Sequence, residues 1–474
     1  MIIQGGMGAG VSGWRLAHAV SELGHLGVVS GTALDVILAR RLQDGDSGGH
    51  IRRALDQFPF SDIAGRIWRK FYIPGGKRTG APYTKVPQHA KDSPQELQEL
   101  CIAGNFVEVF LARNGHQNPV GINYLEKIQL PHLPSIYGAM LAGVDYVLMG
   151  AGIPLRVPGV LSRFVTHDPA TYPLTVANSQ QGDDTTMIFS PRDFMERNLP
   201  PLVRPKFLAI ISSNTLAATM VKKSNGIVDG LIVEKPYAGG HNAPPRGKVQ
   251  LSENGEPIYG ERDRVDLDKL RSLGLPFWLA GGYGSPEKLV EALEAGATGI
   301  QVGTAFAFCA ESGLRSDYKN ALLRNVVSGT ARVFTDPVAS STGFPFKVAQ
   351  LEDSLSERAV YLARPRICDL GYLREAYKTP EGTIGFRCSA EPETIYASKG
   401  GNLEDTPGRR CLCNALLANI GHPQARTGDR IEAGIVTSGD DLLKISRFFP
   451  ANGLTYTAAD VIAKLMNGRS GSHL

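Results

Sequence analysis

One histidine lies just beyond the end of a strand-like run, at a position suited to acid–base chemistry. The apolar run Gly230–Glu234 is followed, after a short turn, by Gly239, Gly240 and His241. An imidazole titrates near neutral pH and can act as a general acid or base at the mouth of a fold. The alternative is a histidine that only hydrogen-bonds a loop, which is our interpretation of the other nine histidines. The position after a strand indicates a catalytic role for His241.

Two later runs end in turns whose residue types suit a phosphate group. Phe277–Gly281 is followed by Gly282, and Gly299–Gly303 is followed by Thr304. Glycine has no Cβ, so backbone N–H groups can approach an anion closely. A helix predicted directly after the first turn adds the partial positive charge of its N-terminus. Tight turns without a ligand are the alternative, but two of them on neighbouring strands favour phosphate binding.

Eight short runs rich in Val, Ile and Phe alternate with helical patterns and are predicted to be strands. They are Met1–Gly5, Gly27–Ser30, Pro119–Tyr124, Asp145–Gly150, Phe207–Ser212, Gly230–Glu234, Phe277–Gly281 and Gly299–Gly303. The clearest helix is predicted to be capped by Ser285, to begin at Pro286 and to stop at Gly296.

This alternation predicts an α/β fold, a closed (β/α)₈ TIM barrel. Active sites of such barrels lie at the C-terminal ends of the strands, and the loops after strands seven and eight often bind phosphate. A doubly wound open sheet is the alternative. It requires G-x-G-x-x-G after the first strand, and Val11 replaces the third glycine here.

Two regions interrupt the alternation and define the predicted domain organisation. The barrel is predicted to span residues 1–345, with an insertion at about 33–105. A C-terminal region, 346–474, is predicted to be mostly helical and contains cysteines. Within the insertion, Leu34–Gln57 has a helical pattern. The basic segment Ile73–Gln88 is rich in Gly and Pro and is predicted to be a loop over the barrel mouth.

The composition argues against several classes of partner. Fifty basic and 46 acidic residues give a net charge of +4 over 474 residues, which does not indicate binding to nucleic acid or to a membrane. The chain has no apolar run of membrane-spanning length. The N-terminus lacks a secretory pattern, and six cysteines do not make a disulfide framework. These features predict a cytoplasmic protein.

Four of the six cysteines fall within one C-terminal stretch: Cys368, Cys388, Cys411 and Cys413. Four thiolates can hold zinc or an iron–sulfur cluster, so these residues are candidate metal ligands. The pair at 411 and 413 lacks the usual C-x₂-C spacing, and ordinary buried cysteines are the alternative.

With these motifs together, the chain resembles the nitronate monooxygenase (2-nitropropane dioxygenase-like) family. The matching segments are Ile2–Gly8, Gly121–Asn123, Ala238–His241, Ala280–Gly282 and Gln301–Thr304. The resemblance covers roughly residues 1–312 apart from the insertion. The insertion, the region after about 345 and the longer turn after His241 depart from the family pattern.

The resemblance implies a TIM barrel with non-covalent FMN and with His241 as the catalytic histidine. The cofactor-binding residues that it implies are Gln4, Gly5, Gly6, Met7, Asn123, Gly240, Gly281, Gly282, Gly303 and Thr304. Among these, the segment Gly5–Met7 is expected to line the flavin ring and Asn123 to hydrogen-bond the cofactor. The late glycines and Thr304 are expected to hold the phosphate.

The implied reaction is the oxidative denitrification of a nitronate or nitroalkane, with His241 stabilising the anion or removing the α-proton. Flavin-dependent enoyl-thioester reductases and quinone reductases look similar and use NAD(P)H, so they remain alternatives. A non-redox barrel that binds a phosphate ligand is an alternative from a different class. The expected partner is a small-molecule substrate. A homodimer formed through the extra regions is also expected.

Overall fold

All eight predicted strands are present in one parallel sheet. The computed structural model describes residues 1–195, 198–428 and 430–467. The barrel strands are β1 Ile2–Gln4, β2 Gly27–Ser30, β3 Val120–Leu125, β4 Tyr146–Gly150, β5 Lys206–Ile211, β6 Gly230–Glu234, β7 Phe277–Ala280 and β8 Gly299–Val302. From β2 to β8, each strand is a neighbour of the next along the chain, and β8 pairs in parallel with β1.

The sheet closes between β1 and β2. Ile3 forms a parallel bridge with Leu26, directly before β2. The N–H of Gln4 donates to the carbonyl of Leu26 at 2.9 Å, and the N–H of Leu26 donates to the carbonyl of Ile2 at 3.0 Å. The predicted α/β TIM barrel is therefore confirmed, and the open-sheet alternative is wrong.

Apolar side chains fill the inside of the barrel. Ile3, Val28, Leu148, Ile232 and Trp278 belong to one buried cluster there. Alternate residues of the same strands point outward and pack under the helices, which is why both faces of each strand are apolar.

Helices surround the barrel on the outside. Those that connect or follow the strands are Trp14–Glu22, Gln95–Arg113, His132–Leu141, Val157–Val165, Asn214–Lys223, Leu267–Arg271, Pro286–Glu294, Thr304–Ala307 and Ser316–Val327. The predicted cap is confirmed, because the Ser285 hydroxyl accepts from the N–H of Lys288 at 3.4 Å. Between β4 and β5 lie the hairpin strands Ala170–Pro173 and Thr186–Phe189, the strand Val176–Ala177 and the 3₁₀ turn Pro191–Phe194. A further 3₁₀ turn is Glu261–Asp263.

The insertion after β2 is helical at first, as predicted. Its helices are Leu34–Gln43, His50–Leu55 and Ser61–Phe71. The helix Gln95–Arg113 begins inside the predicted 33–105 span but packs against the barrel helices Trp14–Glu22 and His132–Leu141, so it belongs to the barrel.

The loop Ile73–Gln88 is irregular, as predicted, but it lies against the C-terminal region and does not line the barrel cavity. The Tyr83 N–H donates to Oε1 of Gln424 at 2.8 Å, and the Gln88 amide donates to the carbonyl of Cys368 at 3.0 Å. Hydrogen bonds to the C-terminal region therefore fix this loop away from the barrel mouth.

The C-terminal region is not mostly helical, which corrects the prediction. Its strands are Phe346–Ala349, Glu375–Lys378 and Ile384–Arg387, and its α-helices are Arg358–Ala363, Glu393–Ser398, Leu412–Asn419 and Ala458–Met466. Leu403–Asp405 and Asp440–Phe448 are 3₁₀ turns. Short apolar runs here become strands because they pair with segments of the barrel domain. Phe346–Ala349, for example, pairs with Val333–Asp336 and with Gly240–His241.

No helix in the described ranges is both long and apolar enough to cross a membrane.

Candidate active site

A deep cavity opens at the C-terminal ends of the barrel strands. It comprises about 1450 Å³, its open mouth included. Ten of the predicted site residues line it: Gly5, Gly6, Met7, Asn123, Gly240, His241, Gly281, Gly282, Gly303 and Thr304. The structure thus brings together residues that are up to about 300 positions apart in the sequence.

Gln4 does not line this cavity, although it was predicted as a cofactor contact. Its side chain is fully buried behind the loop that follows β1. The amide Nε2 donates to the Ser12 hydroxyl at 2.9 Å, and Oε1 accepts from the N–H of Val28 at 3.0 Å. Gln4 therefore holds the loop that places Gly5, Gly6 and Met7 in the cavity wall.

At one end of the cavity, the two late glycine turns expose backbone. Gly281 and Gly282 have φ values of +79° and +80°, which L side chains rarely adopt. A Cβ on Gly281 would lie 2.5 Å from the carbonyl oxygen of Lys235. The Thr304 hydroxyl accepts from the N–H of Gly439 at 3.0 Å, and its own hydrogen stays available to a ligand. Glycine is thus required at this end for reasons of both space and conformation.

An aspartate that the sequence did not indicate lies at the same end. Asp441 lines the cavity, and its Oδ2 accepts from the N–H of Gly284 at 3.1 Å. Burial raises the pKa of the Asp441 carboxyl. It comes from the 3₁₀ turn Asp440–Phe448, far from the glycine turns in the sequence.

Another part of the cavity wall is built from β1, β3 and β8. A Cβ on Gly6 would lie 2.5 Å from Cβ of Asn123, and a Cβ on Gly303 would lie 3.4 Å from Sδ of Met7. Gln301 also lines the cavity, and its buried Oε1 has no hydrogen-bond partner among the described residues. A buried amide oxygen without a protein donor fits a ligand that supplies one.

His241 is placed by the C-terminal region. Its backbone pairs with Phe346, and its ring packs edge-on against the Phe346 ring at 4.8 Å between centroids. Nε2 lies 2.7 Å from the hydroxyl of Ser340, which also contacts the Thr342 hydroxyl at 2.8 Å. No hydrogen bond to Nδ1 is formed by the described residues, so this nitrogen is left for a ligand. Ser340 and Phe346 were missed because nothing in the local sequence links them to the histidine.

Desolvation sets the charge of His241. Burial lowers the pKa of its imidazole to about 4. The ring is therefore neutral at pH 7 before a ligand binds, and an anion bound beside it would favour its protonation.

Glu234 is a second titratable group that the sequence did not single out. It ends β6 and, like His241, lines both the main cavity and a neighbouring one. Neither a hydrogen bond nor an ion pair to its carboxyl is formed within the described ranges, and burial raises its pKa to about 7. A carboxyl with this pKa can accept or release a proton at neutral pH.

The Glu234 carboxyl should make the stability of the protein depend on pH. Its pKa is about 7 in the folded protein, against 4.5 for an unburied glutamate, so ionisation opposes folding increasingly as the pH rises through that window. Glu234→Gln removes this cost. We measure the melting temperature of the variant minus that of wild type. This difference should be larger at about pH 8 than at about pH 4.5. A difference that is constant or that falls with pH would contradict the assigned burial of this group.

The four late cysteines do not form the predicted metal site. Within the described ranges, no three His, Cys, Asp or Glu side chains are arranged to hold a metal ion. All four thiols nevertheless line one small cavity beside the C-terminal helix Leu412–Asn419. The four cysteines that are close in the sequence are thus also close in the structure, but they are not arranged as the ligands of a metal centre.

Sequence comparison relates this TIM barrel, with its two glycine turns and the histidine at its mouth, to known proteins. Residues 197–340 match the family model of nitronate monooxygenase. Nitronate monooxygenase of Pseudomonas aeruginosa is 26% identical over 239 residues, which are 50% of this chain and 61% of that protein. The alignment thus spans less than two thirds of that relative. The predicted resemblance to the nitronate monooxygenase family, an oxidoreductase family, is confirmed by these matches.

Several solved structures have a similar backbone path. One is FabK from Thermotoga maritima, with 15% identity and a TM-score of 0.48, and the superposition covers 99% of this chain and 92% of FabK. Nitroalkane oxidase from Streptomyces ansochromogenes also has 15% identity and a TM-score of 0.48, with coverage of 99% and 96%. The enoyl reductase domain of MlnA from Bacillus amyloliquefaciens has 13% identity, a TM-score of 0.45 and coverage of 99% and 94%.

Proposed function

We propose that this protein is an FMN-dependent oxidoreductase that converts nitronates, the anions of nitroalkanes, to a carbonyl compound and nitrite with oxygen. The observation that carries the proposal is that His241 and both glycine turns face one cavity at the C-terminal ends of the barrel strands. The family resemblance supplies the reaction type.

The residues of the cavity fit FMN. The N–H groups around Gly281, Gly282, Gly303 and Thr304 would hold the phosphate, next to the N-terminus of the helix Pro286–Glu294. The unpartnered Oε1 of Gln301 offers an acceptor for a ring N–H. When bound, FMN supplies the electron acceptor for oxidation of the substrate.

The side chains at the mouth would bind the substrate and handle its proton. His241 is held through Nε2, and its Nδ1 would hydrogen-bond an anionic nitro group. With a neutral nitroalkane, Glu234 would accept the α-proton, because a carboxyl with a pKa of about 7 is a stronger base than an imidazole with a pKa of about 4. The neighbouring Phe346 ring packs edge-on against the imidazole and helps to hold its orientation.

Asp441 should weaken cofactor binding in its ionised form, because its carboxyl shares the phosphate end with the glycine turns. Asp441→Asn keeps an acceptor for the N–H of Gly284 and removes the charge. We expect the variant to bind FMN with a Kd lower by about threefold to tenfold, since a like-charge contact that is well screened by water costs roughly 1 kcal/mol. Titration of apoprotein with FMN, followed by flavin fluorescence, measures this. An unchanged or higher Kd would place the phosphate elsewhere.

The proposed function is tested with the purified full-length chain. Denaturation should release FMN, identified by its absorbance and mass, in near-stoichiometric amount. Oxygen uptake and nitrite release should follow addition of a small alkyl nitronate without NAD(P)H. Protein that neither contains nor binds flavin would support the non-redox barrel instead.

A second candidate function, reduction of an enoyl thioester by NAD(P)H, is favoured by one feature. A neighbouring cavity meets the main cavity at His241 and Glu234. The site thus continues past these two side chains, which suits a substrate longer than a small nitronate. Oxidation of NAD(P)H that depends on a short-chain enoyl thioester, without oxygen uptake on nitronate, would select this candidate.

A further inference from the structure

The cavity that adjoins the main one, called the second cavity below, lies at the C-terminal ends of three neighbouring barrel strands. Its walls include residues that end or follow β4, β5 and β6, among them Ile153, Ile210 and Glu234. Glu234 and His241 line both cavities, so they lie where the two meet. A molecule that reacts beside His241 can therefore extend into the second cavity.

One wall of the second cavity is the turn that follows the site histidine, which is longer than the family pattern. Ala243 and Arg246 line the cavity from this turn. The Tyr259 hydroxyl donates to the carbonyl of Ala243 at 3.0 Å. The N–H of Arg246 donates to Oδ1 of Asp263 at 2.8 Å. These hydrogen bonds hold the longer turn in place, so it is a fixed wall of the cavity.

Apolar side chains form much of the remaining wall. They include Ile153, Ile210, Leu216, Pro236, Pro244 and Phe344. The Ile153 side chain is 53% exposed. An apolar group in the cavity would remove part of this side chain from water, which is favourable.

The charged residues of the second cavity balance each other. Two acidic residues, Glu234 and Asp263, and two basic residues, Lys235 and Arg246, line it. The Asp263 carboxylate already accepts the N–H groups of Arg246 and Gly260, both at 2.8 Å. The cavity therefore has little net charge with which to select an ionic group, and its apolar wall favours an uncharged chain.

The volume of the second cavity limits the length of such a chain. Its interior measures about 250 Å³. At roughly 30 Å³ for a group of the size of water or a methylene, this is room for a linear chain of up to about eight carbon atoms. The carbon that carries the nitro group would stay beside His241 in the main cavity.

We propose that the second cavity binds the alkyl chain of the substrate, and that the preferred nitronates carry a linear, uncharged chain of about four to eight carbon atoms. The nitro group lies at His241, and the chain passes Glu234 and continues along the turn after the histidine. Ala243 in this turn and Ile153 on the loop after β4 determine which chains fit. This inference deepens the proposed function and rests on it.

Linear alkanoates test the chain site without turnover, because a carboxylate is a planar anion like a nitronate. The Kd values of butanoate, hexanoate and octanoate are measured by calorimetry with the full-length protein as purified. We expect Kd to fall about threefold for each added methylene, the gain for a methylene that is removed from water. The kcat/KM values for the nitronates of nitroethane, 1-nitrobutane and 1-nitrohexane should rise in that order.

Two variants and a matched control locate the chain. Ala243→Phe should fill the space beside the turn and abolish the dependence of Kd on chain length. Ile153→Asn should weaken this dependence, because it makes part of the wall polar. Both variants should keep kcat/KM for the nitronate of nitroethane within about twofold of wild type. Ile188→Asn makes the same change at an exposed isoleucine that lines neither cavity, and it should keep the wild-type dependence.

The outcomes separate the chain site from the proposed reaction. A wild-type Kd that does not depend on chain length overturns the chain site. An unchanged dependence in both Ala243→Phe and Ile153→Asn also overturns it and would place the chain in the main cavity. If the alkanoates bind as expected but no nitronate is oxidised, the chain site stands and the proposed reaction is wrong. The wild-type alkanoate series decides the first point even if a variant fails to fold.

Discussion

Replacement of His241 by alanine is expected to lower kcat/KM for a nitronate by about 10²–10³-fold, the usual cost of removing a hydrogen-bond donor that stabilises an anion in an active site. The cofactor should remain bound, because the glycine turns and Asn123 lie in other parts of the cavity wall. Steady-state oxygen uptake together with the flavin absorbance of the same sample measures both quantities. Full activity in His241→Ala would remove the histidine from the mechanism.

Ser340 provides the control for this variant. Its hydroxyl lies 2.7 Å from Nε2 of His241 and orients the ring without reaching the proposed substrate position. Ser340→Ala removes one hydrogen bond worth about 1 kcal/mol, so kcat/KM should fall about fivefold and the pH profile should shift with the imidazole pKa. A loss as large as that of His241→Ala would mean that Ser340 does more than orient the ring.

Replacement of Gly281 by alanine is expected to weaken FMN binding by about tenfold to 100-fold. The residue has φ +79°, and the new Cβ would lie 2.5 Å from the carbonyl oxygen of Lys235. A side chain in this conformation costs about 1–3 kcal/mol, and relief of the clash must shift the turn that faces the phosphate. Titration of apoprotein with FMN gives the Kd.

Gly274→Ala is the matched control. Gly274 also has a positive φ, +72°, but a Cβ at this position would have no other atom within 4 Å, and the residue precedes β7 at the end of the barrel away from the cavity. The substitution should lower the melting temperature slightly and leave the FMN Kd unchanged. If both variants weakened FMN binding equally, general destabilisation would explain the effect, and the glycine turn would have no special role.

The barrel and much of the cavity wall could be predicted from the sequence. Parallel strands buried on both faces are continuous apolar runs, so all eight strands were recognisable from local composition. The glycine turns and the Gly-Gly-His segment could likewise be recognised from residues that are adjacent in the sequence. Because a TIM barrel gathers its strand ends at one face, the approximate convergence of these motifs followed from the fold.

The contacts that complete the site could not be predicted. Ser340 and Asp441 reach it across 99 and 157 residues of sequence, respectively, and such pairings leave no periodic signal. Phe346 belongs to a region expected to be mostly helical, yet it forms a strand because its partner is the His241 segment. Glu234 looked like the polar end of a strand, and only its burial and lack of a partner distinguish it.

Anaerobic mixing of the FMN-loaded protein with a small alkyl nitronate, monitored at the visible flavin absorbance, tests the central proposal most directly. We expect the nitronate to bleach the flavin without NAD(P)H, oxygen to restore the absorbance, and His241→Ala to slow the bleaching. A flavin that stays oxidised with nitronate but is bleached by NAD(P)H would contradict the proposed function and would assign the protein to the reductases.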